Sequence, residues 1–214
     1  CHHLFNDICS FNQTGELHDL LMTYFSNSIL PNVKELLKKE INNYVNNNLN
    51  LNHMERASFP YNRPINSLSR YDIKEFYDLF KDNKNVNLFF IVCVRNIIYS
   101  TLSSHSRIDS NKSIVIETKL QEDSLMYINN QVKLLPKDKY IIVDYENICD
   151  NLKLFEKELQ KKSNMNVVLD NTKVKKINNS KHMNNKNYNY VLNFFDDVRM
   201  KQFDFLSSST ILFK

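Results

Sequence analysis

The sequence predicts an α/β fold, a three-layer α/β/α sandwich with a mostly parallel central sheet, formed by a single domain over residues 1–214. Two apolar runs rich in Val, Ile and Phe, at 87–94 and 139–145, are typical of parallel strands that are covered on both faces. Amphipathic helical patterns lie between and around these runs, so strands and helices alternate along the chain. The first residue is Cys1 rather than a methionine, so we allow for trimming at the N-terminus.

The elements follow one another from residue 4. We expect a first strand at 4–11, and then a helix from Thr14 to Phe25 with Thr14 as its N-cap. Pro31 is expected to open a second helix that runs through Val45. The remaining predicted elements are a helix at about 71–82, a strand at 87–94, a helix from Ile97, helices near 116–134 and 151–163 on either side of the strand at 139–145, a short strand at 166–169, and an amphipathic helix at about 188–206.

Charge and cysteine usage narrow the classes of partner. A formal net charge of +4 suits an anionic ligand without implying nucleic acid, which we do not expect as a partner. No run of eighteen apolar residues occurs, so we expect no membrane segment in this chain, and the compartment is left open between Golgi lumen and cytoplasm. The cysteines show no CxxC spacing, so neither a metal site nor a disulfide framework is indicated, and we expect Cys93 to be buried in its strand.

Two residues point to a phosphate ligand. Arg95 directly follows the apolar strand, in FFIVCVRN, and ligands of open parallel sheets gather at the carboxyl ends of the strands. Gly15, the only glycine, stands in FNQTGEL where the first strand turns into a helix, which indicates a positive φ or a close approach of the backbone. Helix N-termini at such turns bind phosphate. The alternatives are that Arg95 pairs with a surface carboxylate and that Gly15 is an ordinary turn residue.

Together these features resemble the sulfotransferases that use 3′-phosphoadenylyl sulfate (PAPS), in particular their eukaryotic carbohydrate-type branch. The family's arginine after a buried strand, followed by a serine eight residues later, is matched by Arg95 and Ser103. Its Tyr-Glu-Asn-Leu-like segment is matched by YENI at 145–148, and NNSKHMNN resembles the loop before its final helix. The resemblance implies a P-loop-NTPase-like sulfotransferase fold in which Arg95 and Ser103 hold the 3′-phosphate.

The resemblance also implies a reaction and its residues. The family moves a sulfuryl group from PAPS, its co-substrate, to a hydroxyl of a carbohydrate or similar acceptor, and binds the 5′-phosphosulfate at a loop matched by the residues Gln13, Thr14, Gly15 and Glu16. In the interval where the family carries its base we find His53, with a solvated loop histidine as the alternative. Lys181, with His182 beside it, is a candidate to close over the nucleotide, with a solvated basic loop as the alternative.

The main departure from the family is Gln13, because the family has a lysine there that stabilises the leaving group. An amide brings no charge, so another cation substitutes, transfer is slow, or the protein binds without transferring. A catalytically impaired nucleotide-binding protein is therefore the alternative function. A nucleotide kinase relative ranks third, because the chain has no GxxxxGK[ST] loop and no acidic magnesium ligand at the end of the first strand.

Overall fold

The computed structural model describes residues 15–26, 29–49, 53, 72–108, 113–148, 150–169, 180–203 and 211–212. Within these residues the fold is mixed α/β, with much more helix than strand. The helices are α1 (Glu16–Tyr24), α2 (Pro31–Asn47), α3 (Ile73–Phe80), α4 (Ile97–Ile108), α5 (Ile114–Lys133), α6 (Tyr145–Ile148), α7 (Leu152–Ser163), α8 (Ser180–Met183), α9 (Tyr188–Phe194) and α10 (Asp197–Met200). The strands are β1 (Phe90–Val94), β2 (Tyr140–Asp144) and β3 (Ile211–Leu212). The strand predicted at 4–11 lies outside the described residues.

Short polar signals set where the helices begin. Pro31 occupies the first turn of α2, where its missing N–H costs nothing. The Asp72 carboxylate accepts the N–H of Glu75 at 2.8 Å and caps α3, and the Ser113 side chain caps α5 in the same way. The helices predicted at these places, together with α7, are confirmed with boundaries that differ by one or two residues.

Gly15 has a backbone conformation that side chains disfavour. Its φ of 124° and ψ of 179° fall in a region that is essentially restricted to glycine. Its carbonyl accepts the N–H of Asp19 at 3.1 Å, which is the first hydrogen bond of α1. A Cβ at Gly15 would meet no atom within 4 Å among the described residues, so conformation rather than crowding explains the glycine. The predicted positive φ is confirmed. The prediction that Thr14 is the N-cap is wrong, because Gly15 itself is the N-cap and the helix begins at Glu16.

The described strands form one parallel sheet in the order β1-β2-β3. The register of β1 and β2 runs from Phe90 opposite Tyr140 to Val94 opposite Asp144, so the two strands end side by side. Strand β3 pairs with the other edge of β2, with Ile211 opposite Ile142. The parallel arrangement of the two predicted strands is therefore confirmed.

The two faces of β2 pack against different helices. Tyr140 and Ile142 pack in a cluster with side chains of α4, α5 and α9, whereas Ile141 and Val143 pack with α7 on the opposite face. All four are buried, because neighbouring strand residues point to opposite sides and both sides are covered. A third cluster joins α1, α2 and α3 and includes a stacked ring pair, Phe25 and Phe76, with centroids 5.7 Å apart.

Strand β1 is less buried than the sequence predicts. Its residues are only partly buried, and Cys93, expected to be a buried thiol, is exposed. In the described sheet β1 is an edge strand, and α7 covers β2 on the face where Cys93 lies. The apolar composition of β1 therefore predicted more burial than the strand has.

Two further expectations from the C-terminal third are wrong. Residues 166–169 form no strand. Their backbone bonds to side chains of α7 instead: Gln160 donates to the Val167 carbonyl, and Glu156 accepts the Leu169 N–H. The helix predicted at 188–206 is divided, since α9 ends at Phe194 and Asp196 caps the separate helix α10. Among the helices in the described part of the chain, none combines the length and the apolar character needed to cross a membrane.

Candidate functional site

The carboxyl ends of β1 and β2 bring two polar segments together. Val94 and Asp144 are the last paired residues of the two strands, and Arg95 and Tyr145 follow them directly. Helix α6 begins directly after β2, and α4 begins three residues after the end of β1, so each segment lies between a strand and a helix. This edge of a parallel sheet is where ligands of open α/β folds bind.

Arg95 forms an ion pair with Glu146 across this edge. The Arg95 Nε lies 3.5 Å from Glu146 Oε1, and the two side chains are 22% and 21% exposed. The second carboxylate oxygen, Oε2, accepts the backbone N–H of Asn96 at 3.1 Å. The Nε–Oε1 separation exceeds the usual 2.7–3.2 Å of an N–H···O hydrogen bond. The carboxylate is thus anchored by Asn96 and contacts Arg95 mainly through charge.

A second carboxylate lies next to this pair. The Asp144 Oδ1 accepts the backbone N–H of Glu146, and its Oδ2 accepts from the Asn147 amide, both at 2.9 Å. Burial, together with the negative charge of Asp144, raises the pKa of Glu146, against the opposing effects of the Asn96 N–H and Arg95. Among the described residues the edge therefore includes the Arg95 guanidinium and the carboxylates of Asp144 and Glu146, and Glu146 is more easily protonated than an ordinary glutamate.

The first turn of α4 completes the edge. The Asn96 side-chain oxygen accepts the N–H groups of Ile98 and Tyr99 at 3.0 and 3.3 Å, so Asn96 is the N-cap of this helix. The Tyr99 ring stacks on the buried ring of His182 from α8, with centroids 6.0 Å apart. Burial and, next, the neighbouring Tyr188 of α9 raise the pKa of the Tyr99 hydroxyl. These aromatic contacts fix α8 and α9 against α4 beside the ion pair.

Of the predicted site residues, the structure places Arg95 at this edge. Ser103 follows two turns into α4, where it is buried with 8% of its surface exposed. Gly15 and Glu16 start α1, whose apolar side belongs to the cluster of the first three helices. The alternative raised for Arg95, a carboxylate partner, is present, but that partner is a half-buried residue of the same edge rather than a surface carboxylate.

The other predicted site residues lie partly or wholly outside the described residues. Gln13 and Thr14 lie outside the described residues. His53 is half-buried in an isolated β-bridge whose flanking residues are not described, so its role as a base stays a prediction. The backbone of Lys181 belongs to α8, but its side chain is not described, whereas His182 beside it points into the protein instead of closing over a ligand from a loop.

Glu146 is part of the YENI segment, but the sequence-based hypothesis gave it no role in binding or catalysis. A usable signal was present, because two parallel strands end at the same side of the sheet and the second is followed directly by DYEN. Any acidic side chain there is a candidate partner for an arginine after the first strand.

Comparison with protein-family models, with curated proteins and with solved structures finds no match for this chain. Among the described residues, no group of three or more His, Cys, Asp or Glu side chains is arranged to hold a metal ion. Any function must therefore be argued from the residues at the sheet edge and from the motifs of the sequence.

Proposed function

We propose that the carboxyl edge of the sheet binds the 3′-phosphate of PAPS and that the protein is a sulfotransferase acting on a hydroxyl of a carbohydrate or similar acceptor. The observation that carries this proposal is the position of Arg95, directly after a parallel strand and one residue before the N-terminus of α4. The finer architecture, a three-layer sandwich related to P-loop proteins with residues 4–11 as a further strand, is part of the same proposal.

The chemistry of Arg95 supports a phosphate ligand. A guanidinium stays charged at physiological pH and presents five N–H donors in a planar fork that matches the oxygens of a phosphate. The dipole of α4, which has twelve residues, adds partial positive charge at the helix start, although the N–H groups of Asn96, Ile98 and Tyr99 already bond to Glu146 and to the Asn96 side chain. In the proposed site Ser103 adds a hydroxyl donor from the same helix, while Gln13, Thr14, Gly15 and Glu16 hold the 5′-phosphosulfate and Lys181 covers it.

Transfer would break the bond between sulfur and the oxygen that bridges to the 5′-phosphate. The acceptor oxygen attacks the sulfur, its proton passes to His53, and adenosine 3′,5′-bisphosphate leaves. Gln13 donates a neutral hydrogen bond to the leaving oxygen, where a lysine would supply a charge. This residue favours the second candidate function, a protein that binds the nucleotide with little or no transfer.

Calorimetric titration with adenosine 3′,5′-bisphosphate and with ATP tests the binding step. We expect the wild type to prefer the bisphosphate, and a preference for ATP would favour the kinase relative instead. Arg95→Ala should weaken bisphosphate binding by about 2 to 4 kcal/mol, because a charge-assisted contact is lost, and Arg95→Lys should fall between the two.

Arg199→Ala is a matched control, because Arg199 also pairs through Nε with a glutamate, Glu122, at 3.3 Å, but it does so on α10. The control should bind as the wild type does. Unaltered affinity in a folded Arg95→Ala protein, or an equal loss in Arg199→Ala, contradicts the proposed phosphate site. If binding is as expected, labelled PAPS with a panel of hydroxyl acceptors then separates an enzyme from a binding protein.

A further inference from the structure

We infer that Glu146 competes with an anionic ligand for Arg95, so that the ligand binds together with a proton on Glu146. This inference rests on the anion site proposed above and concerns how that site is regulated. It starts from the observation that, in this structure, a carboxylate of the chain lies against the guanidinium that the ligand needs.

The contacts of Glu146 make protonation the simplest way to admit an anion. Its Oε2 accepts the Asn96 N–H at 3.1 Å, and rotating the carboxylate away would remove that acceptor from a helix start. Protonation on Oε1 keeps this hydrogen bond. It also turns the oxygen next to Arg95 from an acceptor into a donor that suits a phosphate or sulfate oxygen. The proton comes from solvent or from the ligand's own phosphate, and no bond other than O–H is made or broken.

The surrounding charges favour the same outcome. Arg95 faces Glu146 from the end of β1, and Asp144 faces it from the end of β2. Tyr99 of α4 also interacts with it and carries the stacked His182 of α8. With both carboxylates ionised, the described residues of the edge carry one positive and two negative charges, and an anion adds another negative charge beside them. Protonation of Glu146 removes the repulsion between its carboxylate, which lies next to Arg95, and the bound anion.

The direction of the pH dependence follows from the free protein. Burial and the neighbouring Asp144 already raise the pKa of Glu146, so its protonation costs less than that of an exposed glutamate. A bound anion stabilises the neutral form further and raises this pKa again. Affinity should therefore increase as the pH falls through the interval between the free-state and the bound-state pKa values. Above that interval the affinity is lowest and constant.

Glu146→Gln tests the inference, because the amide keeps an acceptor oxygen for Asn96 and carries no charge. At neutral pH the variant should bind adenosine 3′,5′-bisphosphate about tenfold more tightly than the wild type, as expected for removing one negative charge beside the ligand. In the acidic range the two proteins should converge. The phosphate groups of the ligand titrate with both proteins, so the difference between the two proteins isolates Glu146.

Glu156→Gln is the matched control, since Glu156 also accepts a backbone N–H, from Leu169, but on α7. It should bind as the wild type does. A second measurement needs no variant: inorganic sulfate, which does not titrate in this range, should cause proton uptake by the wild type when calorimetry is run in buffers of different ionisation enthalpy. Sulfate binding without proton uptake overturns the inference even if Glu146→Gln fails to fold.

The outcomes separate this inference from the proposed function. Weaker binding in Glu146→Gln at every pH would make Glu146 a residue that positions Arg95, and would overturn the competition. Equal affinity in Glu146→Gln and wild type, with a loss in Arg95→Ala, overturns the competition and leaves the proposed site intact. If the wild type and a folded Glu146→Gln variant both fail to bind the bisphosphate, the proposed site and the inference are overturned together.

Discussion

Replacing Gly15 by alanine isolates the cost of one backbone conformation. The residue has a φ of 124° and a ψ of 179°, and no atom of the described residues lies within 4 Å of the position of a Cβ. The substitution therefore adds conformational strain without adding a steric clash with these neighbours. The Gly15 carbonyl is tied to the Asp19 N–H at 3.1 Å, so the strain cannot be relieved without disturbing the first turn of α1.

The expected magnitude follows from two opposing effects. Holding a residue other than glycine in this region costs about 1 to 3 kcal/mol. Alanine also stiffens the unfolded chain, which returns about 0.4 to 1 kcal/mol. The net loss in the free energy of unfolding should be about 1 to 2 kcal/mol, which lowers the melting temperature by about 3 to 6 °C in a chain of this size.

Urea unfolding and thermal melting measure this loss, and hydrogen exchange of the Asp19 amide shows whether the first turn opens. Asn164 offers a graded control, because it has the only other positive φ among the described residues, 54°, at the end of α7. Asn164→Gly should be close to neutral, and Asn164→Ala should cost less than Gly15→Ala, since its conformation is the milder left-handed one. A Gly15→Ala protein as stable as the wild type would refute the conformational explanation of this glycine.

Three further predictions concern transfer and packing. Gln13→Lys should raise the rate of sulfuryl transfer on the order of a hundredfold, with little change in donor affinity, because charge develops mainly in the transition state. An assay with labelled donor measures this rate. Slower transfer in the variant would mean that another cation already stabilises the leaving group. In the same assay His53→Ala should lower the turnover of both forms if His53 is the base. Arg199→Lys should lower the free energy of unfolding by about 0.5 to 1 kcal/mol in urea, because a planar guanidinium lies 3.9 Å from the Phe194 ring centroid and also pairs with Glu122; unchanged stability would show that charge alone suffices.

The sequence by itself determined the local elements of this protein. Proline at the start of α2, the caps of α3 and α5, and the apolar runs of β1 and β2 act within a few residues, so their patterns predict the elements directly. The positive φ of Gly15 was predictable for the same reason, because a lone glycine at a turn into a helix indicates a local backbone need. The position of Arg95 at the carboxyl end of a parallel strand also followed from local pattern and chain order.

The tertiary structure alone decided what surrounds those elements. The pairing of Val94 with Asp144 brings Glu146 to Arg95. A local sequence pattern does not specify the register of two strands that are this far apart in the chain. Cys93 is exposed although the composition of β1 matches that of buried β2, because α7 packs over β2 on the face where Cys93 lies. Residues 166–169 form no strand, and their backbone is hydrogen-bonded to α7 side chains instead. In each case the outcome depends on which distant segment packs beside the residue, because burial and charge partners are set by neighbours in space, and the order of residues along the chain does not specify them.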